Sequence, residues 1–484
     1  MRLAELLKGT YAGPLERNYK NLDIEAICSD SRKVKRNSLF VALPGANLNG
    51  VHFIEEAIQR GASVVATNDL NRCQTKNHVL VLPTADPSQF LRQITRNFFG
   101  NPSQRVRTIG VTGTNGKTTI SYLLQSILQA SGKKCGIIGT IHYKIGEKIL
   151  SSHNTTPGLL DNQELLTEMA QEGMEYCVME VSSHALDQNR VDLIDFKEAV
   201  FTNLTGDHLD YHKTLEHYFS AKAKLFTNLS PAAAAVINAD DSYARELMAM
   251  TPAQVKTYGV RQAADLKAQD IHLDISGTQF ALSYQDNKIN FRTKLVGLYN
   301  VYNVLAAVGA ALNEGIALKS IQKGIEDFNS VAGRLERVDV PRGFSVFIDY
   351  AHTHDALWNV LNTLKELCRG KIILVFGCGG DRDKTKRPLM GETACQLADF
   401  SIITSDNPRG EDPQAIIRDI LPGFKKENYT VVVDRQQAIE KALTSAQKED
   451  IVLLAGKGHE TYQIFKNKTI PFDERKIVQG FFKC

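Results

Sequence analysis

The chain has 484 residues, 43% of them apolar and 23% charged, with Lys+Arg at 57 against Asp+Glu at 54. That length predicts two to four domains, and that composition excludes wholesale disorder. A net charge of +3 is too balanced for a general nucleic-acid binder, though it leaves room for a local basic pocket. No run approaches the ~18 apolar residues of a membrane span. The start lacks the uninterrupted apolar stretch of a signal peptide. The eight cysteines form no CxxC pair, which reads as scattered buried thiols in a reducing compartment, the cytoplasm.

Up to about residue 104, short strand patterns at Ser38–Leu43, Ala62–Ala66 and His78–Leu82 alternate with a helical pattern at Phe53–Ile58. The spacing predicts a small α/β unit, closed by the linker signal Gly100-Asn-Pro-Ser103. A second segment, 105–330, opens with a strand at Arg107–Thr112, a Gly-rich turn and an apolar-periodic helix around Tyr122–Leu128. A strand at Cys135–Gly139 and one ending in Glu180 follow, so a largely parallel core is expected. Between Lys267 and Leu298 the pattern becomes hairpin-like, and a helix follows over Val301–Leu312. The third segment, 331–484, carries strand patterns at Phe344–Ile348, Ile372–Phe376, Phe400–Thr404 and Ile451–Ala455. Polar clusters follow several of them, as expected of a doubly wound sheet whose ligands sit beyond the carboxyl ends of its strands. The lone Trp358 is expected to pack beneath a helix.

The strongest local signal is Gly110-Val-Thr-Gly-Thr-Asn-Gly-Lys-Thr-Thr119. Strand, Gly-rich turn and helix form the arrangement in which backbone N–H groups and a helix N-terminus surround phosphate. Lys117 neutralises charge there and Thr118 is placed for Mg²⁺. Val111 stands where the strict pattern has glycine. Glu180, at a strand end, is the candidate acid for the metal. Ser182 and His184 follow it, but no GxSxG elbow supports a nucleophilic serine. In Asp207-His-Leu-Asp-Tyr-His212 the histidines have the i, i+4 spacing that binds zinc on a helix. Leu209 fills the place of the HExxH glutamate, and Mg²⁺ prefers oxygen. The cluster is therefore open between a site and a capping turn. Lys222 and Lys224 read as an ordinary solvated pair. Asp406-Asn-Pro-Arg409 reads as a turn, or as a place where Arg409 clamps a carboxylate. Gly377–Lys384 reads as a turn or an anion nest.

Taken in order, these motifs resemble the Mur ligase family across nearly the whole chain. Thr202-Asn-Leu204, Gly297-Leu-Tyr-Asn-Val-Tyr-Asn303, Gly333-Arg-Leu-Glu336 and Asp349-Tyr-Ala-His352 join the P-loop and the Met179–His184 stretch. The resemblance implies an α/β, three-domain Mur ligase architecture: a UDP-substrate-binding domain (1–104), a central P-loop ATPase domain (105–330) and a C-terminal Rossmann-like amino-acid-binding domain (331–484). Asp30-Ser-Arg32, Asn154-Thr-Thr156, Asp406–Arg409 and Gly456-Lys-Gly-His-Glu460 are similar to the branch that adds meso-diaminopimelate. That branch joins it to a UDP-N-acetylmuramoyl-dipeptide in peptidoglycan precursor synthesis, forming ADP and phosphate. The alternatives are lysine addition, a folylpolyglutamate synthetase, and a P-loop switch or motor.

The resemblance also implies roles. Gly113, Thr114, Asn115, Gly116, Lys117, Thr118 and Thr119, with Asn300, Arg334, Asp349 and His352, would surround ATP. Thr118, Glu180, His208 and Lys222 would hold Mg²⁺, Lys222 as a carbamate, and Lys117, Glu180, His208 and Lys222 are the implied catalytic set. Ser31, Asn154, Thr155, Thr156, Ser182, Gln188 and Arg190 would contact the UDP-substrate. Arg382, Asp406, Asn407, Arg409, Gly456 and Glu460 would recognise diaminopimelate. No nucleic acid and no membrane are expected as partners, and the enzyme is expected to be a monomer.

Overall fold

A computed structural model describes residues 1–11, 13–45, 49–69, 79–206, 209–285 and 287–483. Three sheets organise the chain. The first has four parallel strands in sequence order, Ala26–Cys28, Ser38–Val41, Ala62–Thr67 and Leu80–Pro83. The helix Pro87–Phe99 buries Phe90, Leu91 and Ile94 against it. Asp86 caps that helix by accepting from the N–H groups of Ser88 and Gln89, and Gly100 ends it in a left-handed turn.

The central sheet has eleven strands. Its middle is parallel. Arg107–Thr112 lies between Phe196–Phe201 and Tyr176–Glu180, and Cys135–Ile138 flanks the latter. The chain winds to both sides of the strand that leads into the P-loop, so this loop emerges at the point where strand order reverses, the usual ligand crevice. Both faces are covered. Lys117–Ala130, Leu298–Asn313 and Leu318–Asp327 build one core, and Leu159–Gln171 and Leu215–Thr227 build the other. Antiparallel strands finish both edges: the expected hairpin-rich patch is Leu266–Asp274, Gly277–Tyr284 and Asn287–Thr293, and His142–Ile145 pairs with Lys148–Ser151 at the other edge. That second hairpin was not expected from the sequence.

The third sheet has six strands, five of them parallel, with Ser345–Asp349, Ile451–Ala455, Ile372–Phe376 and Phe400–Ile403 side by side. A small hairpin, Tyr462–Phe465 with Lys468–Pro471, adjoins it. Trp358 corrects an expectation, since it is 48% exposed. The helix His354–Leu367 buries Leu357, Val360, Leu361 and Leu364, and Trp358 stands one residue off that stripe, turned about 100° away from the sheet. Among the described residues no helix is long and apolar enough to cross a membrane.

Candidate active site

The P-loop is closed by the residues beside it. Thr114 N–H donates to the Asn203 carbonyl at 2.8 Å and Asn115 N–H to Asn203 Oδ1 at 3.0 Å. Gly113 and Gly116 carry left-handed φ values of +145° and +91°. A Cβ on Gly116 would fall on Asn303 Oδ1, so only glycine lets the loop close there. Val111 is simply strand, fully buried and paired with Glu180, which explains why no glycine is needed at that position. Lys117 Nζ donates to the carbonyls of Gly113 and Thr114, both at 2.8 Å, and Lys222 Nζ donates to the same Gly113 carbonyl at 2.9 Å. Two ammonium groups thus converge on one loop oxygen, a concentration of positive charge suited to phosphate.

Lys222 is a correction of the residue-by-residue reading. It is 2% exposed, with its ammonium 4.4 Å from the Tyr218 ring centroid. Its helix Leu215–Thr227 turns Lys222 inward with Tyr218, Phe219, Leu225 and Phe226. Only Lys224 behaves as a surface lysine, paired with Asp187 at 3.3 Å.

Glu180 is fully buried at its strand end. Its Oε2 accepts from Thr118 Oγ1 and Thr140 Oγ1, each at 2.9 Å, and its Oε1 accepts from Thr140 N–H at 2.9 Å. Thr140 was missed in the sequence, where nothing marked it out. Its hydroxyl also lies 3.1 Å from Thr155 Oγ1, joining the Glu180 cluster to Asn154–Thr156. Next along, Thr156 Oγ1 donates to the Glu180 carbonyl and accepts from Ser182 N–H. Arg190 donates to Gln188 Oε1 and to the Thr156 carbonyl. Thr155, Thr156, Ser182, Gln188 and Arg190 are therefore linked, through Thr140 and Glu180, in one hydrogen-bonded network, with Thr156 itself buried. Ser31 stands apart, donating to Glu56 at 2.7 Å. Its segment is tied to the central unit by the Lys33–Asp161 ion pair. His208 lies outside the described residues. His212 is described, and its Nε2 is 2.9 Å from Ser183 Oγ.

The third unit reaches the P-loop through Arg334, whose Nη2 donates to Thr118 Oγ1 at 3.5 Å and whose guanidinium lies over the Tyr350 ring. Asp349 accepts from the N–H groups of Leu335 and Ala351 at 2.6 and 2.8 Å. Burial raises its pKa, and Arg334 opposes that rise. Asn300 is buried, donating to the Val296 carbonyl and accepting from Asn303. It therefore stands behind Asn303, which does touch the loop. His352 is exposed, while His459, whose ring is tilted against Tyr350, is pushed down to about 4, first by burial and then by Arg334.

A second cluster lies at the strand ends of the third sheet. Asn407 Nδ2 donates to Glu460 Oε2 at 2.7 Å, and Arg409 Nη1 to the Gly380 carbonyl at 2.8 Å. A Cβ on Gly456 would stand 2.8 Å from Asp406 Oδ2, and one on Gly379 2.9 Å from Arg409 Nη1. Asp406, Asn407, Arg409, Gly456 and Glu460 are thus brought together, with Arg382 exposed at the rim. A cavity of about 470 Å³ opens beside Arg409, between Pro408–Asp412 and Phe465–Lys468.

Comparison with known proteins assigns the chain to a family. The Mur ligase family, catalytic domain model matches residues 23–99, the Mur ligase middle domain residues 111–311, and the Mur ligase, glutamate ligase domain residues 333–458. The chain belongs to the Mur ligase family. A Clostridium botulinum protein named UDP-N-acetylmuramoyl-L-alanyl-D-glutamate–2,6-diaminopimelate ligase is 45% identical over 100% of both chains. One of the same name from Caldanaerobacter subterraneus is 47% identical over 99% of this chain and 98% of its own. A solved structure of a ligase of that name is 34% identical, with a TM-score of 0.70 over 97% of both chains. MurF ligase from Thermotoga maritima in complex with ADP shares the fold at 18% identity, with a TM-score of 0.64 over 90% of this chain and 94% of that one. As a Mur ligase, this chain is an ATP-dependent ligase.

Proposed function

We propose that this ligase joins meso-diaminopimelate to the free carboxylate of UDP-N-acetylmuramoyl-L-alanyl-D-glutamate, in the cytoplasm, at the expense of ATP. The observation that carries the reading is the pairing of two sites. A phosphate loop with a buried acid, Glu180, lies in the central unit, a separate cluster with Arg409 and Glu460 lies in the third, and Arg334 of the third unit reaches Thr118 beside the loop. Relatives named for diaminopimelate support this over lysine addition.

A carboxylate resists amine attack because it is anionic and has no good leaving group. Transfer of the γ-phosphoryl group from ATP to the carboxylate breaks the γ-phosphate bond, releases ADP and leaves an acyl phosphate. Lys117, with the N–H groups of the loop and helix, stabilises the transferring charge. The amine then attacks the carbonyl carbon, loses a proton, and phosphate departs with the electron pair of the broken C–O bond. Closure of the Arg334 face onto the P-loop excludes water from the acyl phosphate.

The Glu180 carboxylate and the hydroxyls of Thr118 and Thr140 form an all-oxygen donor set, which fits a hard cation. Thr118 and Glu180 would hold one Mg²⁺, with Lys222 as a carbamate supplying oxygen, and Glu180 and His208 a second. Bound there, the ions would neutralise charge on the phosphoryl oxygens. Asn154, Thr155, Thr156, Ser182, Gln188 and Arg190, with Ser31 from the first unit, are read as the UDP-substrate surface. Arg409 faces the second carboxylate that distinguishes diaminopimelate from lysine, and Glu460 the neighbouring ammonium.

Phosphate release measured with each substrate withheld in turn tests the proposal. Release is expected only when ATP, the UDP-dipeptide and diaminopimelate are all present. Release that ignores diaminopimelate would overturn it in favour of a P-loop switch.

A further inference from the structure

Lys457 has no exposed surface. A buried ammonium is costly unless paired and hydrogen-bonded, so what holds it there matters. Its neighbours Gly456 and Gly458 both have left-handed φ values, +112° and +54°. The backbone at these two glycines folds the lysine under the loop instead of out to solvent. There Nζ donates to Asn407 Oδ1 at 3.1 Å and to Glu460 Oε2 at 3.0 Å. Asn407 Nδ2 donates to the same Glu460 oxygen at 2.7 Å, closing a triangle. Asn407 Oδ1 also accepts from Ile464 N–H at 3.0 Å. Both lone pairs of that amide oxygen are therefore used, together with one of its two N–H donors. At 2% exposure, Asn407 has little left to offer a substrate. Glu460 differs. Its Oε2 takes both donors, while no hydrogen bond to Oε1 comes from the described residues.

We infer that Lys457 is a positioning residue for the incoming diamino acid: with Asn407 it anchors one oxygen of Glu460 so that the other is presented to the substrate ammonium. This rests on the reading above, in which Glu460 belongs to the diaminopimelate pocket. The lysine never meets the substrate. It fixes the rotamer of the glutamate and balances its charge from below, which leaves the pocket selective for a cation at that point.

The test is steady-state kinetics with each of the three substrates varied. Lys457→Met is expected to raise the KM for diaminopimelate about 30-fold and to leave the KM for ATP and for the UDP-dipeptide unchanged. Glu460→Gln is expected to give a similar loss, and the double variant no more than the larger of the two, because the lysine acts through the glutamate. Lys457→Gln, which keeps a neutral donor, is expected to give the same pattern at smaller amplitude and serves if the Met variant does not fold. A parental KM for diaminopimelate, losses that multiply in the double variant, or an equal decline in all three substrates would overturn the inference. A parent enzyme indifferent to diaminopimelate would instead strike the functional reading on which it rests.

Discussion

In the function proposed above, the P-loop and the pocket at the ends of the third sheet solve the same problem, holding an anionic or zwitterionic group, by opposite means. The P-loop is one contiguous stretch of chain. It is shaped by glycines and closed by the neutral carbonyl and side chain of Asn203, with the ammonium groups of Lys117 and Lys222 turned onto its carbonyls. The second pocket is assembled from residues 377–383, 404–409 and 456–460, which are far apart in sequence, and buried charges hold it together. Below it, Arg435 donates to Glu474 at 2.8 Å and to the Ala455 carbonyl at 2.8 Å, both side chains being buried. A contiguous loop needs little support, because its shape is local. A pocket of distant loops needs buried links, and in this one the links are ionic.

That contrast sets the expected order of effects. Lys117→Ala should cost about 10³-fold in kcat with little change in melting temperature, since the loop closes without it; a large loss of stability would break the comparison. Arg435→Met should act the other way, destabilising the protein by about 3–5 kcal/mol in denaturant titration, because it leaves Glu474 buried and alone. A neutral result would mean that the ionic links are dispensable. Arg409→Ala should lower kcat/KM for diaminopimelate about 100-fold, with the KM for ATP unchanged; parental kinetics would remove Arg409 from the pocket.

The smallest effect is one of pH, at the opposite end of the central sheet. Glu198 is fully buried, accepting at Oε1 from Asn313 while Oε2 has no partner. Burial raises its pKa well above the usual carboxylate value, with Glu314 adding to the rise. The folded state therefore keeps a proton that the unfolded state has lost. Stability from this group is full below about pH 4.5 and declines as pH rises toward the folded value. Glu198→Gln removes that dependence and should raise the melting temperature by about 2–4 °C at pH 8 and by less at pH 5.

How much of this was legible in the sequence follows the same division. Short-range features were readable: the P-loop, Glu180 at its strand end, and the polar clusters after the third-sheet strands all depend on residues within one turn or strand. The burial of Lys222 was not, because the helix places Lys222 and Lys224 on different faces and only the packed sheet decides which is inside. Thr140 was likewise invisible, and Asn303 and Lys457, though inside recognisable motifs, had no role that the sequence could assign. Each matters through a partner tens to hundreds of positions away, at Glu180, Gly116 and Asn407. Trp358 misled for the opposite reason, since a large apolar residue suggests a core that the helical phase denies it.

Gly333, in a left-handed turn with φ +66°, lies so close to the Gly458–His459 peptide that any Cβ would fall on its atoms. The next residue along is Arg334, which reaches the P-loop, and the facing peptide precedes Glu460. No other amino acid fits at 333 without moving one of these loops. Selection for resistance to a compound bound between the two sites therefore has no silent route through this position. A replacement that repels the compound also displaces the machinery it blocks.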